Sequence, residues 1–388
     1  MKRKRILLIT RNLPPLVGGM ERLNWHMADE LSKKADLYIV GPKGSNASKP
    51  SRVTLREAPL TPLILFFFVA LYRSLLLAFS EKPDIIIAGS GLTAPLAWLT
   101  GKVFRIKSAV YLHGFDVSVD NRMYRMLWRT TFKRLNHVIV NSTSTKNLAM
   151  KAGVSERKLS IIFPGVELPP SPQPSQSIAE LRARYGLENK KILLSVGRLT
   201  TRKGLLEFVE SSMPNIVNAR PDVTLVVVGE APKNSLGAGI QSERSIMAKA
   251  EKLGIGNHIK FLGVITKKEE LATVYEAADV HVFPVRHIPD DPEGFGMVAI
   301  EAAAHGLPTV AFSTGGIVDA VAEGQSGKLV TQGDYNAFSQ AVVRMLYSGK
   351  QSEITRAFAR QFEWKNFEKN LLRALWGTPS LPESEDTK

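Results

Sequence analysis

Residues 164–177 read PGVELPPSPQPSQS, a proline- and serine-rich break without apolar periodicity, and its reading as a linker decides the fold. On its amino-terminal side short, β-branched apolar runs recur: ILLIT (6–10), DLYIV (36–40), DIIIA (84–88), SAVYL (108–112) and HVIVN (137–141). On its carboxyl-terminal side the series restarts with KILLSVG (191–197), VTLVVVG (223–229), IKFLGV (259–264), VHVFPV (280–285) and PTVAF (308–312). Runs that stay apolar without alternation suit strands buried on both faces, the condition of a parallel sheet. The segments between carry one-face helical spacing, as where Leu23, Met27 and Leu31 recur between Glu21 and Ser32. The pattern predicts an α/β protein of two doubly wound domains, residues 1–168 and 169–361. A helix at about 362–376 is expected to pack back on the first domain, and the polar tail 377–388 is expected to fray. Ligands of such sheets sit at the carboxyl ends of strands, so a cleft between the facing domains is the expected site.

With 388 residues, 44% hydrophobic and 22% charged, the chain has the bulk of two ordinary globular domains, which excludes a wholly disordered protein. It has no cysteine, which excludes disulfides and thiolate metal sites and fits a reducing, cytoplasmic setting. The basic start MKRKRILLIT runs into Arg11 and two prolines with no small-residue cleavage site, so a first strand is expected there, not a signal peptide. The net charge of +15 is uneven: residues 1–168 hold 26 Lys and Arg against 11 Asp and Glu, whereas 169–388 hold 25 of each. Such asymmetry points to an anionic partner for the first half, whether nucleic acid, lipid headgroups or a phosphorylated substrate; a merely soluble basic surface is the alternative.

Four strand ends carry unusual residues. After ILLIT comes NLPPLVGGMERLN, where Gly18 and Gly19 stand at an expected helix start whose bare amides favour a phosphate; an ordinary tight turn is the other reading. After SAVYL comes His113-Gly-Phe-Asp116, a histidine joined by a carboxylate. KILLSVG empties into RLTTRKG, setting Arg198, Arg202 and Lys203 within six residues. Arginine as a fork and lysine as a point charge can together neutralise a pyrophosphate; a solvated basic loop is the alternative, against which flanking Gly197 and Gly204 argue. The fourth end is PEGFGMVAIEAAAHGLP (292–308), where Gly294 and Gly296 lead into an Ala-rich helix closed by Gly306 and Pro308, with Glu293 and Glu301 eight residues apart. A solvated helix face is the other reading of that pair.

In chain order, PPLVGGMERL, LHGFD, FPGVE, VGRLTTRKG, VVVGE, FLGVITKKEEL and EGFGMVAIEAAAHGLPTVAFSTGG resemble the GT-B-fold retaining glycosyltransferases of family 4 over nearly the full chain. The resemblance implies a second domain that binds a nucleotide-diphosphate sugar, a first that binds the acceptor, and no metal or other cofactor. It places Arg198 and Lys203 on the donor diphosphate, Glu301 on the ribose hydroxyls and Glu293 on the sugar, with the amides of Phe295, Gly296 and Met297 nearby. Gly18 and Gly19 match a loop that closes on the phosphates, His113 a residue beside the anomeric centre, and Asp116 is a neighbouring candidate for acceptor or sugar contact. The departing phosphate is expected to take the acceptor proton, so no dedicated general base is assigned. The chain departs from the pattern at Gly229-Glu230-Ala-Pro232, where many members have Gly-x-Gly, so that Glu230 stands as a donor-side candidate before an expected insertion, KNSLGAGIQSERS. RHIPDDP (286–292) is also longer than usual; its Arg286, His287, Asp290 and Asp291 either shape sugar choice or form a solvated loop.

Two first-domain segments bear on location. LTPLILFFFVALYRSLLLAFS (60–80) nearly reaches spanning length, but its interior Arg73 and the immediate return to a strand argue against a span. Three successive rings, Phe66–Phe68, cannot all enter one core stripe, so the segment is expected to be a core helix or one that also touches lipid. In NRMYRMLWRTTFKRL, Arg122, Arg125, Arg129 and Lys133 are spaced as one cationic helical stripe, suited to anionic headgroups or a polyprenyl diphosphate acceptor. The expected function is a retaining, metal-independent transferase acting on a lipid-linked or polysaccharide-precursor acceptor, peripheral on the cytoplasmic membrane face. A soluble enzyme making a small glycoside and a non-catalytic nucleotide-sugar-binding protein are the alternatives. Nucleic acid is not an expected partner, because no recognition module or aromatic stacking motif is present.

Overall fold

The computed structural model describes residues 3–119, 122–232, 239–289 and 291–377. Asp290, the tail beyond 377 and the start of the expected insertion, 233–238, therefore lie outside the described residues. The chain divides into two compact units, one built from residues up to Gly165 together with those from Trp364 onward, the other from Val166–Glu363.

The first unit is an all-parallel sheet of β1 (Lys4–Ile9), β2 (Ala35–Pro42), β3 (Val53–Ala58), β4 (Ile85–Ala88), β5 (Lys107–Leu112), β6 (His137–Val140) and β7 (Leu159–Ile161), in the order β3-β2-β1-β4-β5-β6-β7. Successive side chains on β1 go to opposite faces, so Leu7 and Ile9 join the core that holds Phe66, Ala70 and Phe132, while Ile6 and Leu8 join the core of Leu23, Met27 and Leu31. The helix Trp364–Trp376 belongs to this unit: Phe367, Leu371 and Leu375 enter the second of those cores, and Trp364 stacks on His26 at 4.2 Å.

The second unit repeats the plan with β8 (Lys191–Val196), β9 (Val223–Val228), β10 (Ile259–Gly263), β11 (Val280–Phe283), β12 (Thr309–Phe312) and β13 (Gly327–Val330), in the order β10-β9-β8-β11-β12-β13. Each sheet thus reverses its strand order once, between β1 and β4 and between β8 and β11, and the loops leaving those strands form the crevice in which doubly wound sheets hold ligands.

The apolar segment 60–80 forms the helix Leu63–Glu81, long and apolar enough to cross a membrane by length and composition, yet it packs one face on β1, β2 and β3. Its three rings separate by helical rotation: Phe66 is fully buried, Phe67 half-buried and Phe68 66% exposed. The expected cationic stripe is corrected. A π-turn at Arg125–Arg129 interrupts the helix between Arg122–Tyr124 and Thr130–Arg134, and the wider turn takes Arg129 out of line. Arg122 and Arg125 remain exposed, whereas the half-buried Arg129 donates to the Val117 carbonyl at 3.1 Å.

Candidate functional site

In the second unit the loops leaving β8 and β11 are tied together. The Arg286 N–H donates to the Arg202 carbonyl at 2.8 Å, and the Arg286 guanidinium pairs with Glu207. The described end of the expected insertion supports the same loop, because Thr201 N–H bonds to Gly239 O at 2.8 Å and Gln241 N–H to Leu199 O at 3.2 Å. Thr201–Lys203 forms a single tight helical turn there, which aims Arg202 and Lys203 at the β11 side.

Their target is Glu293. Its Oε2 accepts a hydrogen bond from Lys203 Nζ at 2.9 Å and another from Arg202, and Arg202 Nε also donates to Asp291 at 3.0 Å. The three groups of the Glu293 pairings are mostly buried, with side-chain exposures of 14% for Arg202, 19% for Lys203 and 12% for Glu293. Burial alone would raise the Glu293 carboxyl, but the attraction of Arg202, Lys203 and, less strongly, Arg198 overrides it and holds the group at about 2. Burial pushes the Lys203 ammonium below its ordinary value, with Glu293 opposing. The ammonium also lies over the Phe283 ring, 4.7 Å from its centroid. Beneath the cluster, His281 is fully buried with Nδ1 3.0 Å from Thr309 Oγ1; burial and the Lys203 charge lower it to about 3, which keeps it neutral.

Glu293 was expected to face the sugar, Glu301 the ribose and Lys203 the diphosphate. In the structure Glu293 and Lys203 pair with each other. Arg202, expected as one of three cations for a pyrophosphate, clamps both Glu293 and Asp291, so Arg286 and Asp291 are tied to the β8 side, while His287 is exposed. Arg198 differs from its neighbours: it is exposed and forms no ion pair or side-chain hydrogen bond among the described residues, although its charge is felt at Glu293 and Lys203.

The turn after Glu293 is fixed by backbone contacts. Gly296 adopts φ +90°, a left-handed conformation suited to glycine, and starts the helix Met297–Ala304. Phe295 turns its ring inward, 5.7 Å from Phe362, and is 2% exposed. Glu301, one turn along the helix, accepts from the buried Tyr275 hydroxyl at 3.2 Å. Glu230 is exposed, and its carbonyl accepts from Leu199 N–H at 3.0 Å. Gly316 N–H donates to Glu293 O at 2.9 Å, and a Cβ at Gly316 would overlap the Gly294 carbonyl. Gly316→Ala is therefore expected to displace the loop that carries Glu293 and to lower kcat/KM by about tenfold to a hundredfold in steady-state assays.

The first unit has its own cluster at the β1/β4 reversal. His113 Nε2 lies 2.9 Å from Gly89 O, which can only accept, so Nε2 carries the proton and Nδ1 is the acceptor. His113 N–H is bound by Asp116 Oδ2 at 3.1 Å, and both residues are buried. Asn24 Oδ1 and Ser90 Oγ are buried here without hydrogen-bond partners. Neither residue stands out in the sequence, because an isolated Asn or Ser inside a helical or loop pattern gives no signal. Gly18 caps the helix Gly19–Lys34 in an extended conformation, and the Glu21 carboxylate folds back against it while accepting from Asn12 at 2.7 Å.

The comparisons with known proteins follow this architecture. The family description Glycosyl transferases group 1 matches residues 177–362, and Glycosyltransferase Family 4 matches residues 17–168. The GDP-mannose-dependent alpha-(1-6)-phosphatidylinositol monomannoside mannosyltransferase of Mycolicibacterium smegmatis is 27% identical over 378 residues, 94% of each chain. The D-inositol 3-phosphate glycosyltransferase of Corynebacterium urealyticum is 26% identical over 337 residues, 81% of this chain and 77% of that one. The crystal structure of Anabaena HepE in complex with UDP superposes with a TM-score of 0.78 at 19% identity, covering 97% of this chain and all of that one. With the two family descriptions lying side by side along the chain and both sheets matched in one solved fold, the chain belongs to the GT-B-fold glycosyltransferases of family 4.

Proposed function

We propose that this chain is a retaining glycosyltransferase that moves a sugar from a nucleotide-diphosphate donor, held by the second unit, to a lipid-linked or polysaccharide-precursor acceptor bound by the first. The observation that carries this reading is the cationic group Arg198, Arg202 and Lys203 gathered where the strand order of the second sheet reverses, with Arg198 unpaired. In the reaction the bond from the anomeric carbon to the donor phosphate breaks with its electrons on the phosphate. The acceptor oxygen bonds to that carbon from the same face, and its proton passes to the departing phosphate. Arg198 and Lys203 neutralise the growing charge without a metal, Glu301 holds the ribose, and His113 offers Nδ1 to a sugar hydroxyl. A donor of this class is supported by relatives whose names specify GDP-mannose and by a structural neighbour solved with UDP.

We further infer a peripheral position on the cytoplasmic membrane face. The charge excess of residues 1–168, the exposed Arg122 and Arg125, and the exposed apolar rings of Leu63–Glu81 support it. Melting-temperature shifts against UDP-, GDP-, ADP- and dTDP-sugars, with and without a chelator, test the donor reading. One nucleotide class is expected to raise Tm in both conditions. No shift with any of them would overturn the donor site, and a shift abolished by chelator would overturn metal independence.

A further inference from the structure

Along Leu63–Glu81, Ile64, Phe68, Tyr72 and Leu76 recur every fourth residue, with Leu65 and Phe79 on the same side, and all six are exposed. Phe68, Tyr72 and Phe79 are 66%, 64% and 72% exposed, so this stripe is not part of any core. A soluble surface seldom strings three aromatic rings along one helix face. Beside the stripe, between the helix and the edge strand β3, lies an open cleft of about 710 Å³. Lys43 and Arg56 enter it from the β3 side and Arg73 from the helix, at a helical angle about 60° past Leu76.

None of these three cations forms an ion pair among the described residues. The carboxylates in the same cleft are engaged: Glu57 Oε1 accepts the N–H groups of Gly44 at 3.0 Å and Asn46 at 2.9 Å, and Glu81 Oε1 accepts from Ser80 Oγ at 3.4 Å. The cleft thus offers three unspent positive charges over a partly apolar floor that continues into the exposed stripe through Tyr72 and Leu76. Arg73, the residue whose charge argues against a membrane span, is half-buried at the boundary between them.

We propose that Lys43, Arg56 and Arg73 form a seat for the phosphate headgroup of an anionic lipid, with the Phe68–Tyr72–Phe79 stripe embedded among the acyl chains beside it. This inference rests on the membrane-face reading above and gives it a defined surface. A soluble anion would use the cations and have no use for the stripe; a lipid uses both. The seat is distinct from Arg122 and Arg125, which lie beyond the π-turned segment.

The test is flotation of the full chain with vesicles of phosphatidylcholine alone and of phosphatidylcholine mixed with phosphatidylglycerol. Wild type is expected to favour the mixed vesicles. The combined Lys43→Ser, Arg56→Ser and Arg73→Ser variant is expected to bind them about a hundredfold more weakly, roughly fivefold per charge. Phe68→Ser with Tyr72→Ser and Phe79→Ser is expected to lose binding to both vesicle types. An unchanged melting-temperature response to nucleotide shows that each variant is folded. If the cleft variant floats like wild type, or if only Arg122→Ser with Arg125→Ser loses binding, the seat is overturned while the membrane reading stands. If wild type floats with neither vesicle, both fall. Protection of the cleft by inorganic phosphate without vesicle binding would assign it to a soluble anion and overturn the lipid.

Discussion

Glu293→Gln is expected to destabilise the second unit by about 3–5 kcal/mol, the cost of leaving a buried ion pair half-made. The neutral amide keeps the shape but leaves Arg202 and Lys203 facing each other in a mostly buried site with only Asp291 to compensate. The same change should alter the acid response. The Glu293 carboxyl, held at about 2 against an ordinary 4.5, contributes stability that is complete above pH 4.5 and lost as pH falls toward 2. A gap of that size corresponds to about 3 kcal/mol. Urea denaturation of wild type across that window should slope downward, and the glutamine variant should be flatter by that amount.

The variant also separates two roles for Glu293. If the carboxylate holds the cations in place until a diphosphate arrives, nucleoside diphosphate should raise the Tm of Glu293→Gln more than that of wild type, because the ligand supplies the missing charge. If Glu293 only grips the sugar, stability and the nucleoside-diphosphate shift would both match wild type, and the charge-holding role fails. Glu301 offers the contrast. It accepts from Tyr275, and Glu301→Ala is expected to weaken nucleotide binding, read as a diminished Tm shift with nucleoside diphosphate.

How much of this was legible in the sequence follows from burial. All ten strands read from apolar runs are present, and the three that escaped, β3, β7 and β13, are all edges of their sheets. An edge strand buries less: β3 alternates buried and exposed through Val53, Thr54, Leu55 and Arg56, and β7 has no fully buried residue. A search for continuous apolar runs passes over both. The motif residues around the second switch point were legible because chemistry that needs cations and carboxylates at strand ends writes them at fixed spacing. Their pairing was not. Lys203 and Glu293 are ninety residues apart, and only the parallel placement of β8 beside β11 brings them within a hydrogen bond. The π-turn at Arg125–Arg129 was equally invisible, since cationic spacing fits an α-helix until the backbone widens.

Arg198→Ala is expected to lower kcat/KM by about a hundredfold to a thousandfold while leaving Tm unchanged. Lys203 and Arg202 already spend their charge on Glu293, so removing either disturbs the fold of the site together with its chemistry. Arg198 forms no ion pair or side-chain hydrogen bond among the described residues; it stands exposed on the loop, and its charge is felt at Lys203 and Glu293. Its attraction to Glu293 and its repulsion from Lys203 oppose each other, so its removal should change stability little while taking a cation away from an incoming diphosphate. Arg198→Lys keeps the charge but loses the planar fork that meets two phosphate oxygens at once, and it should recover only a small part of the activity. The decisive comparison is the nucleotide dependence of the two variants. Both should show a diminished Tm shift with nucleoside diphosphate and unchanged flotation with vesicles; normal turnover in Arg198→Ala would move the diphosphate site away from this loop.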